Sequence, residues 1–273
     1  MSPTLGVMVL AMCLPLGILI AFSFWSQTYV DIQRVFTLDN YIAFFQKLIY
    51  PWLLRKSILI SLLVTLATIV LAYPMAYFVA FKVTKHKMLW IILMTVPFWT
   101  SYLLRVFAWK IILGYNGVIN SGLAVLGLVD EPLGFLLYNP SAVVITLAHA
   151  WAPWALLPIY VSLEKIDRSL LEAATDLGDG SVARFVRVTL PLSMPGVIAS
   201  GLLVFIPTVG DYVTPTLVGG TTGIMIGNII QSQFGKANNW PMGAALSIIS
   251  IIIITLLVCA FLWLVGRRRF KRA

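Results

Sequence analysis

Apolar residues run along this chain in long uninterrupted blocks, with neither the period-2 alternation of half-buried strands nor the polar face of an amphipathic helix. Leu5–Trp25, Ser57–Phe81, Pro140–Leu163 and Met242–Gly266 are 21, 25, 24 and 25 residues without a charge. Each can cross about 30 Å of hydrocarbon as a helix. Two shorter runs, the 17 residues Met88–Leu104 before Arg105 and the 15 residues Gly196–Gly210 before Asp211, can be completed by interfacial residues. Only helices and closed barrels satisfy the backbone in lipid, and runs of this length exclude a barrel. The pattern predicts an all-α integral membrane protein of six transmembrane helices, one transmembrane domain over residues 1–273.

The first run is expected to remain as a span: Met1–Thr4 carry no Lys or Arg, and the run is too long for the apolar region of a secretory signal. Met12 stands where a lipoprotein site needs a small residue. Cys13 and Cys259 lie in apolar runs near opposite ends and read as neither disulfide partners nor metal ligands. Pro15, Pro74, Pro97, Pro153, Pro158 and Pro207 fall in the first five spans and none falls in Met242–Gly266. Either the first five helices include a bending, cavity-lining core while the last packs against lipid, or proline is simply common in membrane helices.

Composition agrees. The 273 residues are 60% apolar and 11% charged, against roughly half and about a quarter in soluble domains. The 19 Lys and Arg against 10 Asp and Glu give +9, which in a soluble chain could suggest nucleic acid. Its placement argues for topology instead. With both termini inside, Lys82, Lys85, Lys87, Lys165, Arg168, Arg184, Arg187, Arg267, Arg268, Arg269, Lys271 and Arg272 are cytoplasmic, twelve in all. Arg34, Lys47, Arg55, Lys56, Arg105, Lys110 and Lys236, seven in all, then lie toward the outside. Positive charge resists translocation, so both termini are expected in the cytoplasm. The outer connections Ser26–Lys56, Ile111–Asn139 and Tyr212–Pro241 are long, and Thr37–Tyr41 can cap a short interfacial helix.

The connection Glu164–Pro195 between the fourth and fifth spans is far longer than a turn requires. In Ser169–Leu177, Leu170, Ala174 and Leu177 fall at helical spacing, with Glu172 and Asp176 on another side. Gly178 ends that helix, as glycine does where positive φ is needed. Asp179-Gly180-Ser181 turns the chain, Val182–Leu190 offers a second amphipathic helix, and Pro191 stops it. Two short helices would form a knob at the cytoplasmic face.

Glu172-Ala173-Ala174, three residues, Gly178, nine more and Val188-Thr189-Leu190-Pro191 resemble the cytoplasmic EAA loop of binding-protein-dependent ABC importer permeases. Asp179 departs from the family's small apolar residue. The resemblance covers nearly the whole chain: Phe36–Tyr41, Pro97–Ser101, Leu217–Gly220, Met225–Asn228 and Asn239–Pro241 are similar to the spermidine/putrescine-type permeases. It implies a bacterial inner-membrane subunit that pairs with a second permease, with two cytoplasmic ATPase subunits docked on the EAA loops and an extracytoplasmic binding protein delivering substrate. ATP and Mg are then expected in the ATPase subunits, with no cofactor in this chain. The chain holds no G-x-x-x-x-G-K-[ST] phosphate loop, so it is not expected to be an enzyme. Glu172, Ala173, Ala174, Asp176 and Gly178 become the coupling residues: the small alanines allow close seating in an ATPase cleft and Gly178 holds the angle between the helices.

Charges inside spans are costly, about 2.5–3.5 kcal/mol on insertion scales. Counted along helices from Met88 and Gly196, Arg105 and Asp211 lie about 25 and about 22 Å from the inner ends. They can therefore pair with each other or snorkel to the outer interface. Alternatively Asp211 faces the pathway and offers a carboxylate to a cationic substrate, with Tyr212, Trp99 and Tyr102 as neighbours; cation–π attraction of about 0.5–2 kcal/mol suits a polyamine. Trp151 and Trp154 share a face of a helix interrupted by Pro153 and either join that pathway or pack. His149 reads as a core histidine, and no metal, triad or paired-carboxylate set is visible. Three function classes follow: an ATP-driven importer permease for spermidine, putrescine or another small solute such as an opine or aminoethylphosphonate; a proton-coupled secondary carrier; and a membrane enzyme. No internal repeat or polar catalytic cluster favours the last two.

Overall fold

The computed structural model describes residues 2–29 and 31–270; Lys271 and Arg272 of the basic tail lie outside the described residues. Among the described residues six helical stretches are long and apolar enough to cross a membrane: Gly6–Ser23, Ile49–Lys82, Tyr102–Val125, Pro140–Glu164, Ser181–Val209 and Trp240–Arg267. The chain divides into two compact units, one formed by the residues up to Ser57 with those from Met225 onward, the other by Ile58–Ile224.

In the first unit α1 (Ser2–Ser23) packs on α13 (Trp240–Phe270). Between them in sequence come a hairpin of β1 (Ser26–Thr28) and β2 (Asp31–Gln33), paired antiparallel with Ser26 opposite Gln33, and α2 (Asp39–Gln46). The hairpin is an addition to the all-helical expectation; Thr28 and Ile32 are the β-branched residues within its strands. A short helix forms here, but it starts at Asp39 with Leu38 at the N-cap position and no side-chain cap; the Thr37 hydroxyl accepts the Asp39 N–H, at 3.1 Å. Asn40 Nδ2 donates to the Ser23 and Trp25 carbonyls at 3.1 and 2.8 Å, and the Tyr41 hydroxyl meets Ser23 Oγ at 2.7 Å, tying α2 to the end of α1. Gln27 bonds the Asn238 carbonyl and accepts from the Trp240 N–H, fixing the start of α13. The helix α12 (Ile226–Phe234) lies against α13, its first N–H donating to Ser57 Oγ at 2.8 Å.

The second unit is built on α7 (Pro140–Glu164) and α10 (Leu190–Val209), which pack along their lengths. Asn139 caps α7, its Oδ1 accepting from Ala142 N–H at 2.9 Å, with Pro140 in the first turn where its missing N–H costs nothing. Gly196 allows the close crossing: a Cβ there would collide with the Pro158 carbonyl oxygen and Ser162, and instead Gly196 N–H donates to Ser162 Oγ at 3.2 Å. Tyr73, on the long helix α3 (Ile49–Tyr77), meets Ser193 Oγ at 2.8 Å in the interior. Pro15, Pro74, Pro153, Pro158 and Pro207 all lie inside helices.

Three boundaries differ from expectation. The second span begins at Ile49, so Arg55 and Lys56 are helical. Met88–Leu104 is not one helix: α4 (Lys87–Thr95) passes into a 3-10 turn at Val96–Trp99, Thr100 and Ser101 are extended with ψ 153° and 134°, and α5 (Tyr102–Leu113) starts afresh. The third crossing stretch is Tyr102–Val125, which includes α6 (Val118–Val125) after a turn at 114–117. The depth counted for Arg105 along an unbroken helix from Met88 therefore fails. Finally, Pro191 does not stop a helix. After α9 (Ser181–Arg184) the chain widens into a π turn at Phe185–Thr189, where Leu190 N–H reaches back to Phe185 O, and Pro191 falls in the first turn of α10. The wide turn spares the contact that a proline makes with the carbonyl four residues before it.

Candidate functional site

Thr100 and Ser101 break the helix just before Tyr102, and Gly210 ends α10 just before Asp211. Residues flanking both breaks line one cavity of about 390 Å³, formed by Phe98, Tyr102, Arg105, Ala150, Trp151, Trp154, Pro207, Gly210, Asp211 and Tyr212. The Tyr102 hydroxyl donates to Asp211 Oδ2 at 2.6 Å and lies 2.6 Å from Thr214 Oγ1. Its one proton goes to the carboxylate, so Thr214 donates to it. Asp211 Oδ1 accepts the Val213 N–H at 2.9 Å at the start of α11 (Val213–Val218). The half-buried carboxylate thus takes two neutral donors and keeps acceptor capacity for a third.

The remaining wall is aromatic. Phe98 and Trp154 meet edge to face with centroids 4.7 Å apart. The Arg105 guanidinium lies over Phe98, 5.4 Å from its centroid, and Nη1 donates to the Ala150 carbonyl at 3.4 Å. The Trp151 indole Nε1 is buried without an acceptor among the described residues. The structure brings together Asp211, Tyr212, Tyr102, Trp151 and Trp154. Trp99 is 84% exposed and does not line the cavity, because the 3-10 turn sends it away from Phe98. His149 is exposed, edge-on to Trp109 at 5.3 Å, not a core histidine. Arg105 and Phe98 join the site without having been expected there as pathway residues; the cost of a charge in a span is the signal that pointed to Arg105. Among the described residues no group of three or more His, Cys, Asp and Glu could hold a metal.

The loop after α7 has the first helix and the turn read from the sequence, but the second short helix is not separate: it runs on from Ser181 through the π turn into α10. Asp167 caps α8 (Arg168–Asp176), its Oδ1 accepting the Ser169 N–H at 3.0 Å, and that hydrogen bond holds the carboxyl below the usual range. At the other end Gly178 has φ +89°; Gly178 N–H reaches Thr175 O at 2.9 Å and Asp179 N–H reaches Ala174 O at 3.0 Å, a complete Schellman motif. Ala174 is buried, whereas Glu172, Ala173, Asp176 and Gly178 are exposed. Leu170 and Leu177 are exposed too, Leu177 by 88%, so the apolar spacing marks an outer face as well as an inner one. Arg187 pairs with Asp179 at 2.7 Å and Arg184 Nη1 donates to Thr175 Oγ1 at 2.7 Å, bracing α8 from the following helix. At the head of the loop Glu164 binds Lys87 through both oxygens, at 2.8 and 3.1 Å, and the same ammonium donates to the Ala80 carbonyl at 3.2 Å. Neither basic brace was expected, since sequence shows the charges but not which ones meet.

The sequence pattern of the binding-protein-dependent transport system inner membrane component family matches residues 123–270, a stretch that contains the whole loop. The chain belongs to that family. Over 268 residues it is 40% identical to the spermidine/putrescine transport system permease protein PotB of Escherichia coli K12, covering 98% of this chain and 96% of that one. It is 36% identical over 233 residues to the inner membrane ABC transporter permease protein YdcU of the same organism, covering 81% and 73%. Its fold is similar to that of a chain in a bacterial alginate ABC transporter solved in complex with an alginate pentasaccharide-bound periplasmic protein, with a TM-score of 0.71 at 16% identity, over 94% of this chain and 89% of that one. This inner-membrane permease is therefore a multi-pass component of an ABC importer, and the secondary-carrier and membrane-enzyme readings are set aside.

Proposed function

We propose that this permease conducts small polyamine-like cations such as spermidine or putrescine through the Asp211 cavity, by alternating access with a second permease subunit. The observation that carries the proposal is the Asp211 carboxylate, held by Tyr102 and surrounded by Trp151, Trp154 and Tyr212. An alkylammonium gains from both the charge and the aromatic faces. The 40% identity to PotB, whose name specifies spermidine and putrescine, supports the same class of cargo. Arg105 in the same wall favours a second reading, a cargo bearing both signs, such as an opine or aminoethylphosphonate.

The remaining assignments rest on family likeness and on the loop. Both termini and residues 164–195 face the cytoplasm; α8 seats on one of two ATPase subunits through Glu172, Ala173 and Ala174, with Asp176 and Gly178 shaping its end. ATP and Mg are held by those subunits. An extracytoplasmic binding protein delivers the cargo, a partner supported by the periplasmic protein bound to the structural neighbour. Trp99, outside the cavity and highly exposed, is better suited to the interface with the second permease or with lipid. Purification of the tagged chain from its native membrane tests the assembly: a second permease and ATPase subunits should copurify. Uptake of labelled spermidine by Asp211→Asn should fall at least tenfold with the complex intact; unchanged uptake of every cationic solute would end the pathway role.

A further inference from the structure

The Asp211 cavity already contains a cation. Arg105 and Asp211 line the same space, with the guanidinium stacked over Phe98 at 5.4 Å and one of its amines on the Ala150 carbonyl at 3.4 Å. An incoming ammonium would use the same two attractions, an aromatic face and the field of the carboxylate. Phe98 itself is packed edge-on by Trp154 at 4.7 Å, so the face that Arg105 covers is a fixed element of the wall. The cavity's two formal charges cancel. A cation entering it therefore meets Asp211's attraction together with repulsion from a like charge in a site partly removed from water, where such repulsion is screened less than at a surface.

We propose that Arg105 is a resident cation that competes with cationic cargo for the aromatic wall and the carboxylate field, setting affinity low enough for cargo to leave. Passage through a transporter requires binding that is favourable on arrival and weak on departure, and a carboxylate in an aromatic box without a counter-charge would hold an alkylammonium too well. Arg105 is in this sense a determinant of affinity and selectivity: a cargo with several ammonium groups can offset the competition by making more than one contact, and a monoamine cannot. The inference rests on the reading that the Asp211 cavity lies on the pathway.

The test uses the complete importer complex in lipid nanodiscs without its binding protein, with spermidine and, separately, a monoamine of similar chain length as probes. Arg105→Met keeps the length and apolar packing and removes the charge; Arg105→Gln is measured beside it, so that misfolding of one leaves the other. Both variants should bind spermidine about tenfold more tightly or better, the factor for losing about one like charge at intermediate dielectric. In sealed vesicles bearing the same complexes, with the binding protein supplied, they should also lower maximal ATP-driven uptake and narrow the preference for spermidine over the monoamine. Arg105→Lys, which restores charge without the planar fork, should bring affinity back toward the parent value. Unchanged or weaker spermidine binding in both neutral variants overturns the proposal, as does Arg105→Lys behaving like Arg105→Met. Asp211→Asn separates the two claims: if it abolishes spermidine binding while the neutral Arg105 variants leave it unaltered, only the resident cation is lost. If Asp211→Asn binds and transports like the parent, the pathway reading fails first.

Discussion

Gly178 stands at φ +89° with no atom of this chain beyond its neighbours within 4 Å of where a Cβ would sit, so within the subunit an uncharged substitution there acts through backbone conformation, and a carboxylate adds a charge at the proposed ATPase seat. Asn tolerates this region and Ala does not, by about 1–2 kcal/mol. Gly178→Asn is expected to keep more uptake than Gly178→Ala at equal membrane abundance, as measured by labelled-substrate uptake. Asp167 carries a pH dependence of its own. Its carboxyl is held below the ordinary value by the Ser169 N–H, so the cap supports α8 at neutral pH and above. That support is lost as pH falls through the lowered value. Hydrogen exchange at the start of α8 should quicken under acid in the parent chain and be quick at neutral pH in Asp167→Ala. At the cavity, Tyr102→Phe leaves Asp211 with one neutral donor and should reduce uptake several-fold. Single residues were legible where their cost is intrinsic: a charge in a span marked Asp211 and Arg105, and a glycine after a helix marked Gly178. Trp99 was misplaced because its side is set by a 3-10 turn that hydropathy does not register.

Helices were legible wherever apolar length decides them, as in α7 and α13, and misread where the backbone changes its winding. The break at Thr100–Ser101 sits in a sequence as apolar as a continuous span, and the π turn at Phe185–Thr189 hides the usual effect of Pro191. Packing between elements yields a sharper expectation. Gly196→Val would drive a branched side chain into the Pro158 carbonyl and Ser162, and overpacking costs about 1–3 kcal/mol. The thermal midpoint of the detergent-solubilised subunit should drop, whereas Gly6→Val, where nothing lies within 4 Å, should leave it in place. The Asp179–Arg187 brace pairs a mostly buried carboxylate with a guanidinium 72% exposed. A double-mutant cycle on protection of the loop should give a coupling of about 0.2–1 kcal/mol, diminishing with salt.

For the molecule as a whole, the +9 surplus is proposed to be a topology signal, with the inner face holding twelve of the nineteen positive residues. A reporter fused after Ala273 should be accessible only from the cytoplasmic side. The apolar composition was enough for a membrane protein; the loop at residues 164–195 and its order of small and charged residues identified the family. The division into two units and the shared cavity of Asp211 and Arg105 were beyond the sequence, because they depend on which helix ends come together. We propose that this loop carries ATP-driven motion to the cavity. It is tested most directly by measuring ATP hydrolysis and spermidine uptake together in vesicles bearing the complete importer with Gly178→Asp. Continued hydrolysis with uptake lost is the expected result; hydrolysis and uptake both at parent levels would contradict it.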